Sequence, residues 1–487
     1  MANPSILALD IGTSSVRASL YDEDANLIQN TLIKVPQSFT YTTDGGAEID
    51  AEQAFSNVVS AIDSVLEKTT VDIAYVASCA FWHSLVGIGV DGVPTTKVFG
   101  WADTRSRTYT SFLRRDLDEQ ETHNRTGARF HSSYWPAKLL WLHAEQPDVF
   151  ARTTRFLSFS DLVGLRLFDD CRTSISMASG TGAFDIRNCS WDTQLLQYLN
   201  ISPRHLPQLL DDNETLRLTD EYKHRWPRLA QATWLPSIGD GAADNIGSGC
   251  ITPSRAALMI GTSGALRVAW TGEPPPNLPS GLWCYRIDRR HVVMGGAISD
   301  GGGLYQWLKT NLQLPNAAEE QIASRAPGAN DLAFLPFLAG ERSTGYNDAA
   351  TGSILGLTAG HDSTDILQAA MEGVAFRFAE ISDQLSEIAD IEDIVASGGA
   401  LRDSPVWVQI IANVLGRDLV MSSAEESASR GAVLHALEST GKIVSDTFTP
   451  DTSGKFIADM DRHAVYTQAR STHESLYDQI VTQRTSQ

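Results

Sequence analysis

The sequence predicts an α/β protein made of two related domains, and three observations point there. The chain has 487 residues, more than the roughly 250–300 at which a single hydrophobic core stops growing. Segments with strand and helix patterning alternate along it, as in sheets covered by helices. A hairpin pattern also recurs: "SILALDIGTSSVRASLYDED" (5–24) is echoed by "RAALMIGTSGALRVAW" (255–270), each an apolar run, a Gly-Thr-Ser turn and a second run. Aligning Thr13 with Thr262 sets the copies 262 − 13 = 249 positions apart, about half the chain. The expected domains are 1–251 and 252–487, divided near "GCITPSR".

Taken in order, the first apolar run ends on a lone acid, Asp10, just before the turn Gly12-Thr13-Ser14-Ser15. Such a turn is either a phosphate loop whose acid holds a metal or a hairpin with a polar turn. "DAEQAFSNVVSAIDSVLEKT" places Phe55, Val58, Val59, Ile62, Val65 and Leu66 on one helical face, with Asp50 in the N-cap position. "DIAYVASCAF" (72–81) reads as a buried strand. It delivers Trp82 and His83 to its C-terminal end, where open α/β sheets bind ligands. "SIGDGAADNIGSG" (237–249) has glycines that permit close backbone approach, and it carries Asp240 and Asp244. A carboxylate in such a loop can act as a general base beside a substrate hydroxyl. It can equally cap a helix, with Asp240 as the cap.

In the second half, "TGEPPPNLPSG" (271–281) is a proline-rich loop. "DIVASGGALRDSPVWVQIIANVLG" runs from a strand through Gly398-Gly399 into a helix, with Ser404 as N-cap, Pro405 in the first position and Gly416 as the stop. A frayed polar tail ends in "TQRTSQ".

The bulk properties exclude several classes. No 18-residue apolar stretch spans a membrane, and "MANPSILALD" lacks an export signal. Five scattered cysteines without C-x-x-C spacing suit a reducing cytoplasm and argue against zinc or a disulfide framework. A formal net charge of −21 disfavours nucleic acid and anionic membranes. A phosphate site here must therefore rely on backbone N–H groups, a metal or a few placed cations. Two facing glycine–hydroxyl turns would supply such N–H groups, and Asp10 could hold magnesium directly or through its waters. Arg17 is then either a phosphate contact or a solvated strand residue.

Several of these segments together resemble the FGGY carbohydrate kinases. "GSILGLTAGHDSTDILQAAMEGV" (352–374) is similar to that family's C-terminal signature, and "FLPFLAGERSTGYND" to its Gly-Glu-Arg segment. "LALDIGTSSVRASLYD", "WADTRS" and "ASGGALRDSPVWVQIIANVLG" look like its phosphate, sugar-side and adenosine segments, in the expected order from about residue 6 to 440. In "SSYWPAKLLWL" the family's usual Pro-x-x-Lys spacing is not met.

The resemblance implies two duplicated ribonuclease H-like domains, of the actin, hexokinase and Hsp70 type, around a central cleft. It implies an ATP- and Mg²⁺-dependent kinase of a sugar or sugar acid, with Asp240 as the base and Asp244 as a structural neighbour. Thr13, Ser14, Ser15, Arg17, Gly261 and Thr262 would cradle the phosphates, with Gly302 and Gln306 at the nucleotide and Gly399 and Asp403 along adenosine. Trp82, His83 and Asp103 would face the sugar; a buried structural role is the other reading of His83. Arg105 and Lys138 are the cations that could receive a sugar-acid carboxylate, or they are surface or structural cations. The substrate the resemblance implies first is D-gluconate, ahead of D-xylulose and other ketoses or polyols. The expected partners are that small molecule and ATP, without nucleic acid or membrane and with at most a second copy of the chain. An actin- or Hsp70-like ATPase would share the hairpins but lack the C-terminal signature.

Overall fold

A computed structural model describes residues 5–329, 331–443 and 448–482. Its architecture repeats one plan twice. In the first half Ser5–Ile11 pairs antiparallel with Ser15–Tyr21, which pairs antiparallel with Ile33–Pro36. On its other side Ser5–Ile11 lies parallel to Ile73–Ala80, and that strand is flanked in parallel by Thr233–Trp234 and Ile238–Gly239. In the second half Arg255–Ile260, Gly264–Thr271 and His291–Ile298 form the antiparallel set. Asp393–Ser397 and then Leu419–Ser422 extend the sheet in parallel. Two further edge strands, Trp283–Arg286 and Thr452–Phe456, complete it. The 249-residue echo is thus the hairpin that opens each sheet.

The local signals act where the sequence places them. Ala51–Glu67 is a helix whose N-cap Asp50 accepts hydrogen bonds from the N–H groups of Glu52 and Gln53. Ser404 caps Pro405–Leu415, and Gly416 ends it in the left-handed conformation. The proline-rich segment joins the strands Gly264–Thr271 and Trp283–Arg286 without regular structure of its own. Most of the polar tail, from residue 483 on, lies outside the described residues.

Two helices lock the halves together. Ser427–Ser439 comes late in the chain, yet Ala432, Val433, Leu434, Ala436 and Leu437 bury among Leu7, Leu9 and Val76 of the first sheet. It crosses Asp240–Gly247 so closely that a Cβ on Gly431 would lie 1.7 Å from the Ala243 carbonyl oxygen. One on Gly247 would lie 1.8 Å from that of Ser427. Only glycine at both positions allows this crossing, and the crossing sets the floor of the cleft. Among the described residues no helix is long and apolar enough to cross a membrane.

Candidate active site in the interdomain cleft

A cleft of about 740 Å³ opens between the sheets. Both hairpin turns line it, Gly12 to Ser15 from one side and Gly261 to Gly264 from the other. Each turn closes on itself: the Gly12 N–H donates to the Ser15 carbonyl at 3.0 Å and the Gly261 N–H to that of Ser263 at 2.9 Å. Ser14 and Thr262 stand exposed at the tips. Gly399 also lines the cleft, at the start of the short helix Gly399–Asp403.

Asp10 is buried where the first strand ends. Its Oδ2 accepts from Arg17 Nη1 at 2.8 Å, and its Oδ1 lies 3.6 Å from the Cys79 thiol. Arg17 also faces Glu426 at 3.6 Å, so it is a cleft cation and not a solvated strand residue. Burial holds the Asp10 carboxyl above the usual range, and Arg17 opposes that shift.

Asp240 is the first residue of Asp240–Gly247, after the N-cap Gly239. Its hydrogen bond is to the adjacent Gly241 N–H, at 2.8 Å, which leaves most of the carboxylate open to the cleft. Burial first, and then the negative charge of Asp10, push it up to about 6. A carboxylate poised so close to neutrality suits a general base. The neighbouring glycines have a steric cause. The Trp82 indole packs against this turn, and a Cβ on Gly239 would sit 1.8 Å from its ring. Trp82 is itself held by a 2.9 Å bond from Nε1 to the Ser176 carbonyl.

His83 combines the two roles considered for it. Its ring is buried, yet it lines the cleft. Nδ1 meets the Gly180 carbonyl at 2.5 Å, and burial drives the imidazole well below its ordinary pKa, so it is neutral. Nδ1 therefore carries the proton and Nε2 is left as an acceptor. The backbone is left-handed here, with φ 67°, which costs a non-glycine residue about 1–2 kcal/mol. Strain of this kind tends to collect at functional sites.

Four expected contacts stand outside the cleft lining. Asp103 is buried, and its carboxylate is taken by Arg105 and by the backbone N–H groups of Ala47 and Arg105. Gly302 lies beneath the second turn, donating its N–H to the Gly261 carbonyl at 2.8 Å. Gln306 and Asp403 are exposed nearby.

The two cations expected to meet a sugar-acid carboxylate need correction. Arg105 pairs with Asp103 at 2.5 Å and Glu48 at 2.8 Å, and it stacks on Phe99 and Trp141. Lys138 is fully buried and donates to the carbonyls of His83, Gly100 and Ser133 at 3.1, 2.8 and 2.7 Å. Both are structural.

Two other arginines line the cleft. Arg342, in "GERSTG", lines the cleft half-buried over the Trp101 ring, with Nη2 3.4 Å from His83 Nε2. Among the described residues no carboxylate pairs with it. Arg267 lines the cleft from the strand Gly264–Thr271 and bonds Asp244 at 2.5 Å. A signal for Arg267 existed: each echoed hairpin carries an arginine on its second strand, and each reaches an aspartate.

Two hairpin turns on opposite walls of one cleft, with the Asp240 carboxylate open to it, suit transfer of a phosphoryl group to a hydroxyl. The fold and site are those of a phosphotransferase. Residues 5–230 match the N-terminal domain of the FGGY family of carbohydrate kinases and residues 256–439 its C-terminal domain. The chain is 28% identical to a gluconokinase of Bacillus subtilis (strain 168), over 92% of this chain and 90% of the relative. It is 26% identical to a xylulose kinase of Staphylococcus xylosus, over 88% and 90%. A ligand-bound xylulose kinase from Lactobacillus acidophilus superposes with TM-score 0.89 at 25% identity, covering 98% of each chain. A gluconate kinase from the same organism shares the fold at TM-score 0.89, 24% identity and 98% coverage of each chain. The chain belongs to the FGGY family of carbohydrate kinases, enzymes that use ATP to phosphorylate an alcohol group.

Proposed function

We propose that this kinase phosphorylates the terminal hydroxyl of a sugar acid, D-gluconate, with D-xylulose as the second reading. The observation that carries the proposal is Arg342, a cleft guanidinium that pairs with no carboxylate among the described residues and lies beside a neutral histidine. A ligand carboxylate would complete that pair. A neutral ketose would leave the charge unmatched, and unmatched polar groups are how sites reject the wrong ligand. The names of the gluconokinase relatives point the same way.

In this reading the first half of the chain, to about residue 251, holds mainly the sugar, and the second half holds mainly ATP. Trp82 and His83 shape the sugar wall. Asp240 takes the proton of the terminal hydroxyl, whose oxygen attacks the γ-phosphorus in line. The bond to the bridging oxygen breaks, and ADP leaves with that electron pair. Amides of the two turns bind phosphate oxygens as charge shifts onto the leaving group.

Magnesium fits what is present. Among the described residues no group of three or more His, Cys, Asp or Glu side chains could hold an ion. Magnesium needs no such cage, because it takes one or two carboxylates plus phosphates and water. Asp10 would be that carboxylate, and the ion would supply positive charge for the phosphates. The five unpaired cysteines suit a cytoplasmic enzyme, working as a monomer or homodimer without nucleic acid or membrane partners.

A coupled ADP-release assay across sugar acids, ketoses and polyols tests the reading. D-Gluconate should give the highest kcat/KM. A higher value for D-xylulose or another neutral sugar would overturn the sugar-acid assignment.

A further inference from the structure

Arg267 is a buried arginine with part of its donor edge unused. Strand alternation turns Ala265 and Arg267 of Gly264–Thr271 toward the cleft. The Arg267 residue is only 4% exposed. Its Nη2 bonds Asp244 Oδ2 at 2.5 Å, and Asp244 Oδ1 accepts from the Ser427 hydroxyl at 2.5 Å. Asp244 lies one helical turn after Asp240 on the same helix. One carboxylate thus ties together the base-bearing helix, a strand of the second sheet and the start of Ser427–Ser439.

This arrangement fixes the guanidinium without using it up. A pair that served only to neutralise Asp244 would gain most from bidentate geometry, yet a single nitrogen is engaged. Among the described residues Nε has no hydrogen-bond partner. Nη1 lies against Gly241, where an added Cβ would be 2.6 Å away. The open part of the guanidinium therefore borders the residue that follows the base. Nε is sealed from the cleft, so an arriving anion with acceptor oxygens would meet the guanidinium at Nη1, beside Gly241.

We propose that Arg267 is a catalytic residue that donates from this edge to the phosphoryl group in transfer, and that Asp244 positions it. The proposal rests on the kinase reading with Asp240 as base. The hydroxyl oxygen–phosphorus bond forms, the bond to the ADP oxygen breaks and the proton passes to Asp240. Arg267 hydrogen-bonds the non-bridging oxygens and changes no bond of its own.

The test compares the intact wild-type enzyme with Arg267→Gln, Arg267→Lys, Asp244→Asn and Asp240→Asn. It measures turnover and the binding of ADP alone, D-gluconate alone, and ADP with aluminium fluoride plus D-gluconate, a mimic of the group in flight. Arg267→Gln should lose about 10²–10³-fold in kcat and a comparable factor in affinity for the mimic, with ADP and D-gluconate binding nearly unchanged. Lysine keeps the charge but cannot hold Asp244 and donate as well, so Arg267→Lys should lose about tenfold in both. Asp244→Asn should fall between these two. Wild-type affinity for the mimic in either Arg267 variant, or turnover within about threefold of wild type in Arg267→Gln, overturns the role of Arg267. An Asp240→Asn enzyme that turns over normally overturns the base assignment instead, and the two failures are separately visible.

Discussion

Arg342 and His83 meet across the cleft with Nη2 3.4 Å from Nε2, and the second imidazole nitrogen is fixed on the Gly180 carbonyl. The pair works in one direction: the guanidinium donates and the neutral ring accepts. That leaves the remaining N–H groups of Arg342 for a ligand, and its seat over Trp101 limits where they point.

Removing that charge should be selective. A hydrogen bond to a charged group contributes about 1.5–3 kcal/mol, so Arg342→Met should lower kcat/KM for D-gluconate by roughly 10- to 10²-fold. The values for neutral sugars should change far less, which would narrow the preference or reverse it. Equal losses for D-gluconate and D-xylulose would show that Arg342 supports the fold of the wall and reads no carboxylate.

Asp240 sets an acid limit. Its carboxyl titrates at about 6 and must be ionised to accept a proton, so kcat/KM should fall tenfold per pH unit below about 6 and level off above it. Arg267 lowers that value and Asp10 raises it. Arg267→Gln should accordingly move the limb to higher pH. Asp240→Asn should bind D-gluconate and MgATP yet lose at least about 10²–10⁴-fold in turnover. A limb that stays in place in the Arg267 variant would show that the two charges do not interact.

The fold and the position of the cleft were legible in the sequence because their signals are local. The hairpin echo, the Asp50 and Ser404 caps and the Gly416 stop each depend on a few neighbouring residues. The fate of the cations was hidden for the opposite reason. Lys138 is an ordinary helix residue until His83, Gly100 and Ser133 bring three carbonyls to it. Arg105 looks free until Glu48, 57 positions away, faces it. Arg342 sat in a segment recognised for its pattern, but whether its charge is matched depends on which acids reach it in space. In sequence Trp82 reads as a sugar contact, and its support of the Asp240 turn emerges only from the glycines that pack around the indole in space.

Lys138 makes a stability prediction with a definite sign. Burial lowers its ammonium to about 7, against about 10.4 in an unfolded chain. Between those values the unfolded state binds more protons, so stability contributed through this group rises with pH from about 7 to about 10. Lys138→Met should remove that slope. It should also destabilise the protein at pH 7, since the buried carbonyls of His83, Gly100 and Ser133 lose the Lys138 donor, at about 1–3 kcal/mol for each one left unsatisfied. Denaturant unfolding of both proteins at pH 6, 7.5 and 9 measures the difference. A gap between them that does not change with pH would refute the shifted lysine.

Asp10 offers the sharpest separation of metal from sugar. Its carboxylate sits near the end of the first strand, just before the first hairpin turn, where it pairs with Arg17 and not with Trp82 or His83, so its effect should follow the nucleotide. Asp10→Asn keeps the shape and one acceptor oxygen but removes the charge. The magnesium concentration for half-maximal activity should rise at least tenfold, for the loss of about 1.4 kcal/mol or more of ion binding. D-Gluconate affinity, measured without nucleotide, should stay near that of the wild type. The loss also acts on the base. Without the negative charge of Asp10, Asp240 titrates lower, so the acid limb of kcat/KM at saturating magnesium should move below pH 6, opposite to the Arg267 variant. An unaltered magnesium requirement would return the first hairpin to a plain polar turn and leave Arg17 as the only role for its acid.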